Sequence, residues 1–301
     1  MTQAKFSKQL KLLDTSPTLW KARQRYPSDE DKLRRQCEMG ELCWLAAVSR
    51  PDICALLAQL ASKLNNLQGS DIYRINDLAK TVRIWQPRTS LKFASSSFPL
   101  FSYGTDHKGR RRVKGERIHG GTRTLVGRPD AAYGDLSQNG RCRLGYVIGI
   151  TSSSPTGPCH LLMWTSKFTR KLAESSVGGA VYAFSEMIDH MALLRAFFSP
   201  FEELTSGMLG LEDCESLASH VKNREMIAGK NLSRHFLGIQ QFSEDGELDD
   251  VCALPSTKNP ADDLANIEGE TAPILSLLET GGFQPGVLRP LKRIGSREHR
   301  N

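Results

Sequence analysis

Three aspartates stand where apolar runs give way to polar residues. Asp130 follows Thr124-Leu125-Val126, Asp213 follows Met208-Leu209-Gly210-Leu211, and Asp262 lies in Asn259-Pro260-Ala261-Asp262 after Val251-Cys252-Ala253-Leu254. Carboxylates gathered from separate strand ends repel, raise one another's pKa and are costly to keep ionised without a cation. Hard oxygen donors suit Mg2+ or Mn2+, and two such ions about 4 Å apart clamp the attacking and leaving oxygens of a phosphodiester. Each aspartate alone is equally a turn residue or a helix cap. The chemistry therefore depends on a fold that brings all three to one edge.

The elements that must do so are legible in the hydrophobic pattern. Buried strands are predicted at Thr124-Leu125-Val126 leading to Asp130, over residues 144–150, at Leu161-Leu162-Met163-Trp164, at Met208-Leu209-Gly210-Leu211, and at Val251-Cys252-Ala253-Leu254. Val177, Val181, Phe184, Ile188 and Met191 recur at helical spacing before Ser199-Pro200, and a further helix is expected over residues 231–242. Strands, helix, strand, helices and strand in that order describe an α/β domain with a mixed five-stranded sheet flanked by helices. Ahead of it, residues 28–86 read as a small helical unit. An N-cap region at Ser28-Asp29-Glu30-Asp31 starts the first helix, Arg50-Pro51-Asp52 breaks it, and Ile53, Leu56, Leu57, Leu60 and Leu64 form an apolar stripe on the second. Ile72, Ile75, Leu78, Ala79 and Val82 line a third. Trp44, Trp85 and Trp164 sit in apolar patterns and are expected in the core.

Composition bounds the class. The chain has 301 residues, 39% hydrophobic and 24% charged, the usage of an ordinary globular protein rather than a disordered or fibrous one. No apolar run reaches the length of a membrane helix and the first residues carry no secretory pattern, so an intracellular protein, cytoplasmic or nuclear, is expected. Seven scattered cysteines without a C-x-x-C pair give neither a disulfide framework nor a structural zinc site. The net charge of +7 suggests a polyanionic partner. Most of it falls in residues 95–123, where Lys108, Arg110, Arg111, Arg112, Lys114, Arg117 and Arg123 face only Asp106 and Glu116. That segment has no apolar periodicity and reads as a basic loop or insertion, either solvated or touching nucleic acid.

Motifs in one order along the chain resemble the C-terminal part of a Ty1/copia-type retrotransposon Pol polyprotein, from the end of the reverse transcriptase through ribonuclease H. Gly40-Glu41-Leu42-Cys43-Trp44-Leu45-Ala46 and Ser49-Arg50-Pro51-Asp52-Ile53 look like the family's thumb and connection signature. Asp130-Ala131-Ala132-Tyr133 looks like its first-strand box, Gly140-Arg141 with Gly145-Tyr146 its second-strand motif, and Trp164-Thr165-Ser166-Lys167 its third. Ser175-Ser176, Asp213-Cys214-Glu215-Ser216-Leu217 and Asn259-Pro260-Ala261-Asp262 complete the set. The resemblance implies a helical thumb/connection remnant at 1–94, the insertion at 95–123, a ribonuclease H-like domain at 124–280 and a flexible tail at 281–301. It implies two-metal cleavage of RNA in RNA–DNA hybrids, with Asp130, Asp213 and Asp262 as metal ligands and Mg2+ or Mn2+ as cofactor. Lys167, Lys171 and Arg234 become candidate contacts to nucleic acid, against the alternative of ordinary surface positions. His235, next to Arg234, carries the same two readings.

Three departures accompany the resemblance. The family's fourth carboxylate, a helix glutamate, aligns with Ala180. Glu174, Glu186 and Asp189 are six or nine positions away, which at about 100° per residue turns them from the metals. Glu212, beside Asp213, is expected on the opposite face because strand side chains alternate. Pro129 falls in a central strand that needs its donors, and Gly178-Gly179 weakens the start of the long helix. The basic insertion is the third. A Y-x-D-D polymerase turn is absent, as are integrase and protease signatures. The resemblance thus points to a Pol fragment of impaired nuclease activity, with the rest of a Pol polyprotein and RNA–DNA hybrid as partners and no membrane. A non-catalytic nucleic-acid-binding module or a functionless relic are the alternatives.

Overall fold

A backbone break at Arg50-Pro51 organises the first part of the molecule. Helix α1 (Asp29–Val48) stops there, a single turn at Pro51–Ile53 redirects the chain into α2 (Cys54–Ser62), and α3 (Gly69–Ile84) follows. Arg50 is buried and grips Asp52 with both prongs of its guanidinium, at 2.8 and 2.7 Å, while a third nitrogen donates to the Val82 carbonyl of α3 at 3.4 Å. Leu42, Leu45, Ile53, Leu57, Leu60, Ile75 and Val82 bury the expected stripes against one another. Trp44 is the exception: it is 47% exposed, because α1 places it on the face opposite Leu42 and Leu45. Trp164 is buried as expected, and Trp85 lies outside the described residues.

The computed structural model describes residues 10, 12–13, 29–84, 100–105, 111–118, 124–135, 141–151, 159–173, 175–199, 207–227, 229–267 and 272–283. They belong to two compact units that divide between residues 91 and 92. Among the described residues no helix is long and apolar enough to cross a membrane. All seven cysteines are thiols.

In the second unit, β1 (Leu100–Thr105) and β2 (Arg111–Ile118) form an antiparallel hairpin inside the segment read as a loop. Phe101, Tyr103 and Thr105 at alternate positions supply the strand preference that the dense basic run obscures. The main sheet contains β3 (Thr124–Asp135), β4 (Arg141–Thr151), β5 (Cys159–Leu172), β6 (Gly207–Glu212) and β7 (Asp250–Ala253), in the spatial order β5-β4-β3-β6-β7. β3 and β5 run antiparallel to β4 between them, whereas β6 and β7 are parallel to β3.

Helices cover both faces. On one side α4 (Ser176–Phe198) crosses β3 and β4, with α5 (Glu215–Asn223) and α6 (Lys230–Glu244) beside it. Ser175 caps α4 by accepting the Gly178 N–H at 3.1 Å. A Cβ on Gly179 would stand 3.1 Å from the Ala131 Cβ and 3.3 Å from the Cys142 sulfur, so the glycine that weakens the helix also lets it close on the sheet. On the other side lie the short α7 (Asp262–Ala265) and α8 (Ala272–Thr280). Two buried arginines of the sheet reach these helices or the segments that flank them. Arg128 donates to the Lys258 carbonyl at 3.0 Å under the Phe283 ring, and Arg143 donates to the Ala265 carbonyl at 3.4 Å.

Gly145 sets how near α7 can come. A Cβ there would stand 2.6 Å from the Ala261 carbonyl oxygen and 2.7 Å from the Ala265 nitrogen. Gly145 also pairs with Asp130 across the β3–β4 ladder, so the same contact brings Asp262 toward Asp130. Gly145→Val is expected to push α7 off the sheet and cost about 3 kcal/mol. Urea unfolding followed by circular dichroism checks this.

Candidate active site

Three separate elements deliver the three aspartates. Asp130 is in the middle of β3, opposite Gly145. Asp213 follows the last residue of β6. Asp262 opens α7. The three side chains converge: burial first, then the charges of Asp213 and Asp262, push the Asp130 carboxyl up to about 8. Burial also raises Asp213, opposed by a hydrogen bond from Asn259. The sequence expectation for these residues therefore corresponds to one gathered cluster.

Asn259, to which the sequence assigns no role beyond its place in Asn259-Pro260-Ala261-Asp262, holds the cluster in register. It is fully buried. Its amide nitrogen donates to the Pro129 carbonyl at 2.8 Å and to Asp213 Oδ2 at 3.3 Å, while its amide oxygen accepts the Ala261 N–H at 3.1 Å. One side chain thereby joins β3, the end of β6 and the entrance of α7. The same bonds explain Pro129. Parallel pairing of β3 with β6 ends at Gly127 opposite Gly210. The N and C=O of a strand residue point to one side, so the ring nitrogen of Pro129 lies beyond the last ladder bond, where no donor is required. The Asn-Pro pair was visible in sequence; its burial and its reach across 130 residues were not.

Glu212 corrects a second expectation. Its backbone position is on the face opposite Asp213, as strand alternation demands, yet the carboxyls of the two residues interact. Oε1 accepts the Cys214 N–H at 3.1 Å. The carboxyl lies in hydrogen-bond contact with that of Asp213 and within the field of Asp130, and burial before either of them holds it well above the ordinary glutamate pKa. The residue is 1% exposed.

The remaining candidates are dispersed. Ala180 is buried on α4, in line with Phe184, Met187 and Met191 toward the sheet. Lys167 makes an ion pair with Glu186, whose carboxylate also accepts the Tyr146 hydroxyl at 3.3 Å. Glu186 thus faces β4 and β5 rather than the aspartates. Arg234 is exposed on α6. His235 contacts Ser185 at 3.3 Å and stacks edge-on against Tyr182 at 5.0 Å, which makes it part of the α4–α6 packing. The Lys171 side chain and Glu174 lie outside the described residues.

Donor chemistry in the cluster fits a hard divalent cation: carboxylates only, buried, repelling one another, with no basic side chain among the groups that act most strongly on Asp130 or Glu212. Among the described residues no three such side chains stand as a ready-made coordination sphere. Asp213 keeps one oxygen on Asn259, and Asp262 keeps one on Asn266.

Asp263 extends the same logic to stability. It is buried, accepts the Ile274 N–H of α8 at 2.6 Å, and is raised to about 7 mainly by burial. Acids whose folded pKa is raised keep protons that the unfolded chain has already released. Stability is therefore greatest below the unfolded values near 4 and declines as pH rises through the folded ones. With Asp130 near 8 and Asp263 near 7, the cation-free protein is expected to lose stability from about pH 4 to pH 8. Denaturant midpoints at constant ionic strength test this, and Asp130→Asn should flatten the decline. Asn259→Ala removes three buried bonds and is expected to cost about 3 kcal/mol in the same measurement.

No model of a known protein family matches the chain, and no curated protein matches it either. Several solved structures do resemble it. One is an LC11 ribonuclease H1 in complex with an RNA/DNA hybrid, with 14% identity over 48% of this chain and 94% of that one and a TM-score of 0.36. A ribonuclease H1 from the halophilic archaeon Halobacterium salinarum NRC-1 gives 16% identity, 48% and 95% coverage and a TM-score of 0.35. An N-terminal ribonuclease H domain from Mycobacterium tuberculosis gives 12%, 51% and 96%, and 0.36. In its own strand order and directions, with helices on both faces, the second unit has a ribonuclease H-like fold.

Proposed function

We propose that the second unit is a ribonuclease H-type domain from a Ty1/copia-like Pol polyprotein, able to engage an RNA–DNA hybrid and impaired in cleaving it. The observation that carries this reading is the convergence of Asp130, Asp213 and Asp262 from three elements into one buried cluster. Asp130, Asp213 and Asp262 are the residues that would hold Mg2+ or Mn2+. A divalent cation bound there supplies charge neutralisation and Lewis-acid polarisation at a scissile phosphate. The protein's share is positional. Asn259 aims Asp213, Asn266 aims Asp262, and the β3–β4 ladder fixes Asp130. Lys167 and Arg234 offer charge to the backbone of the hybrid, Lys167 by exchanging Glu186 for a phosphate, and Lys171 on the same strand is a third candidate. The reduced activity rests on Ala180, which contributes no donor from α4.

Cleavage of a labelled RNA–DNA hybrid in Mg2+ tests the proposal. The wild-type chain is expected near background, Ala180→Glu at least about tenfold faster, and Asp130→Asn at background. Robust cleavage by the wild type sinks the impaired reading. Hybrid binding that falls steeply with salt while Ala180→Glu stays inactive would favour the non-catalytic binding module instead.

A further inference from the structure

The basic segment that precedes the main sheet in the chain is built as a two-stranded ribbon. β1 and β2 pair with each other, Phe101 opposite Arg117, Tyr103 opposite Val113, Gly104 opposite Arg112 and Thr105 opposite Arg111. The register slips once, between Phe101 and Tyr103, where β1 advances by two residues and β2 by four. Both steps are even, so the slip leaves the two faces of the ribbon unmixed.

Sorting the positions by face separates two chemistries. One face takes Phe101, Tyr103 and Thr105 of β1 with Arg111, Val113 and Arg117 of β2. It carries both aromatic positions of the hairpin and two arginines, with no acidic position among them. The opposite face takes Arg112, Lys114 and Glu116 of β2, where the glutamate offsets part of the charge and no aromatic residue stands.

Spacing chooses the ligand. Phe101 and Tyr103 are two positions apart, about 7 Å along a strand. Stacked bases of a duplex rise by about 3.4 Å, half that interval. Aromatic positions so spaced suit successive bases drawn apart in an extended single strand, not the bases of a closed helix, which stay stacked on one another. Arginine on the same face suits the phosphates of that strand, and its planar guanidinium also stacks on bases.

We propose that the aromatic and arginine face of the β1–β2 hairpin is a binding site for single-stranded nucleic acid. It holds the backbone by charge and the bases by stacking, without reading sequence. None of its residues belongs to the aspartate cluster, so it needs no cation and does not rest on the proposed nuclease function.

Fluorescence anisotropy of the full chain with labelled oligouridylate, with duplex RNA and with an RNA–DNA hybrid of the same length tests it, in EDTA so that no strand is cleaved. The single strand is expected to bind tightest, with an affinity that falls with salt. Phe101→Val with Tyr103→Val keeps strand preference and removes both rings, and should weaken single-strand binding at least about tenfold. Phe101→Tyr with Tyr103→Phe keeps the rings and should bind like wild type, as should Asp130→Asn. Arg111→Gln with Arg117→Gln should make the log–log dependence on salt shallower by about 1.4. Arg112→Gln with Lys114→Gln removes the same charge from the opposite face and should weaken binding much less. These two charge pairs leave β1 intact and separate an effect of the face from loss of the hairpin. No binding of the single strand at low salt, a preference for either duplex, unchanged affinity in the valine pair, or equal losses in the two charge pairs each overturns the proposal. Each of those results leaves the cleavage assay of the proposed function to stand on its own, and failure of that assay leaves single-strand binding in place.

Discussion

The buried amide of Asn259 is the connection on which the rest of the sheet edge depends. Three segments far apart in sequence end in polar groups that the sheet cannot satisfy: the Pro129 carbonyl, the Asp213 carboxylate and the Ala261 N–H. A primary amide offers two donors and an acceptor in one plane, and no hydrophobic residue of similar size could replace it without stranding three buried groups. Pro129 becomes tolerable because the ladder has already ended, and α7 starts where it does because its entrance is held there. The close approach permitted by Gly145 then completes the placement of Asp262.

That edge gathers buried carboxyls, and no basic side chain is among the groups that act most strongly on Asp130. Arg128 and Arg143 are within the same sheet, but each is directed to a backbone carbonyl and an aromatic ring. Their burial lowers Arg128 to about 9, a measure of how little solvent reaches it. The two kinds of side chain are thus kept apart: guanidiniums fasten the C-terminal elements, and the carboxyls gather at the sheet edge.

The apolar stripes of the helical unit, the five strands and the long helix were legible because each buries one face with a regular period. So were the three aspartates, whose positions after apolar runs put them at one edge once the strand order is known. Glu212 was misplaced since alternation fixes the Cβ and not the end of a flexible side chain. Trp44 was misplaced because an aromatic residue in an apolar stretch still follows the helix turn, and its position on α1 faces outward. His235 became a packing residue through Tyr182, a partner more than fifty positions away that no local pattern reveals. The hairpin at 100–118 was hidden by charge, which dominates composition without opposing a strand.

The tethers of the C-terminal elements make inheritance of the fold and of the site a single matter. Arg128 to Lys258, Arg143 to Ala265, Ser166 to Leu264, and the Cys159 N–H to Gly281 all cross from the sheet to residues beyond 255. A frameshift or early stop after β7 would remove one aspartate, yet its larger effect would be to uncover two guanidiniums and leave them facing emptied space. Loss of this segment would undo the structure before it could leave behind a folded shell without the aspartate. A chain that retains this segment has kept the part whose loss is least forgiving.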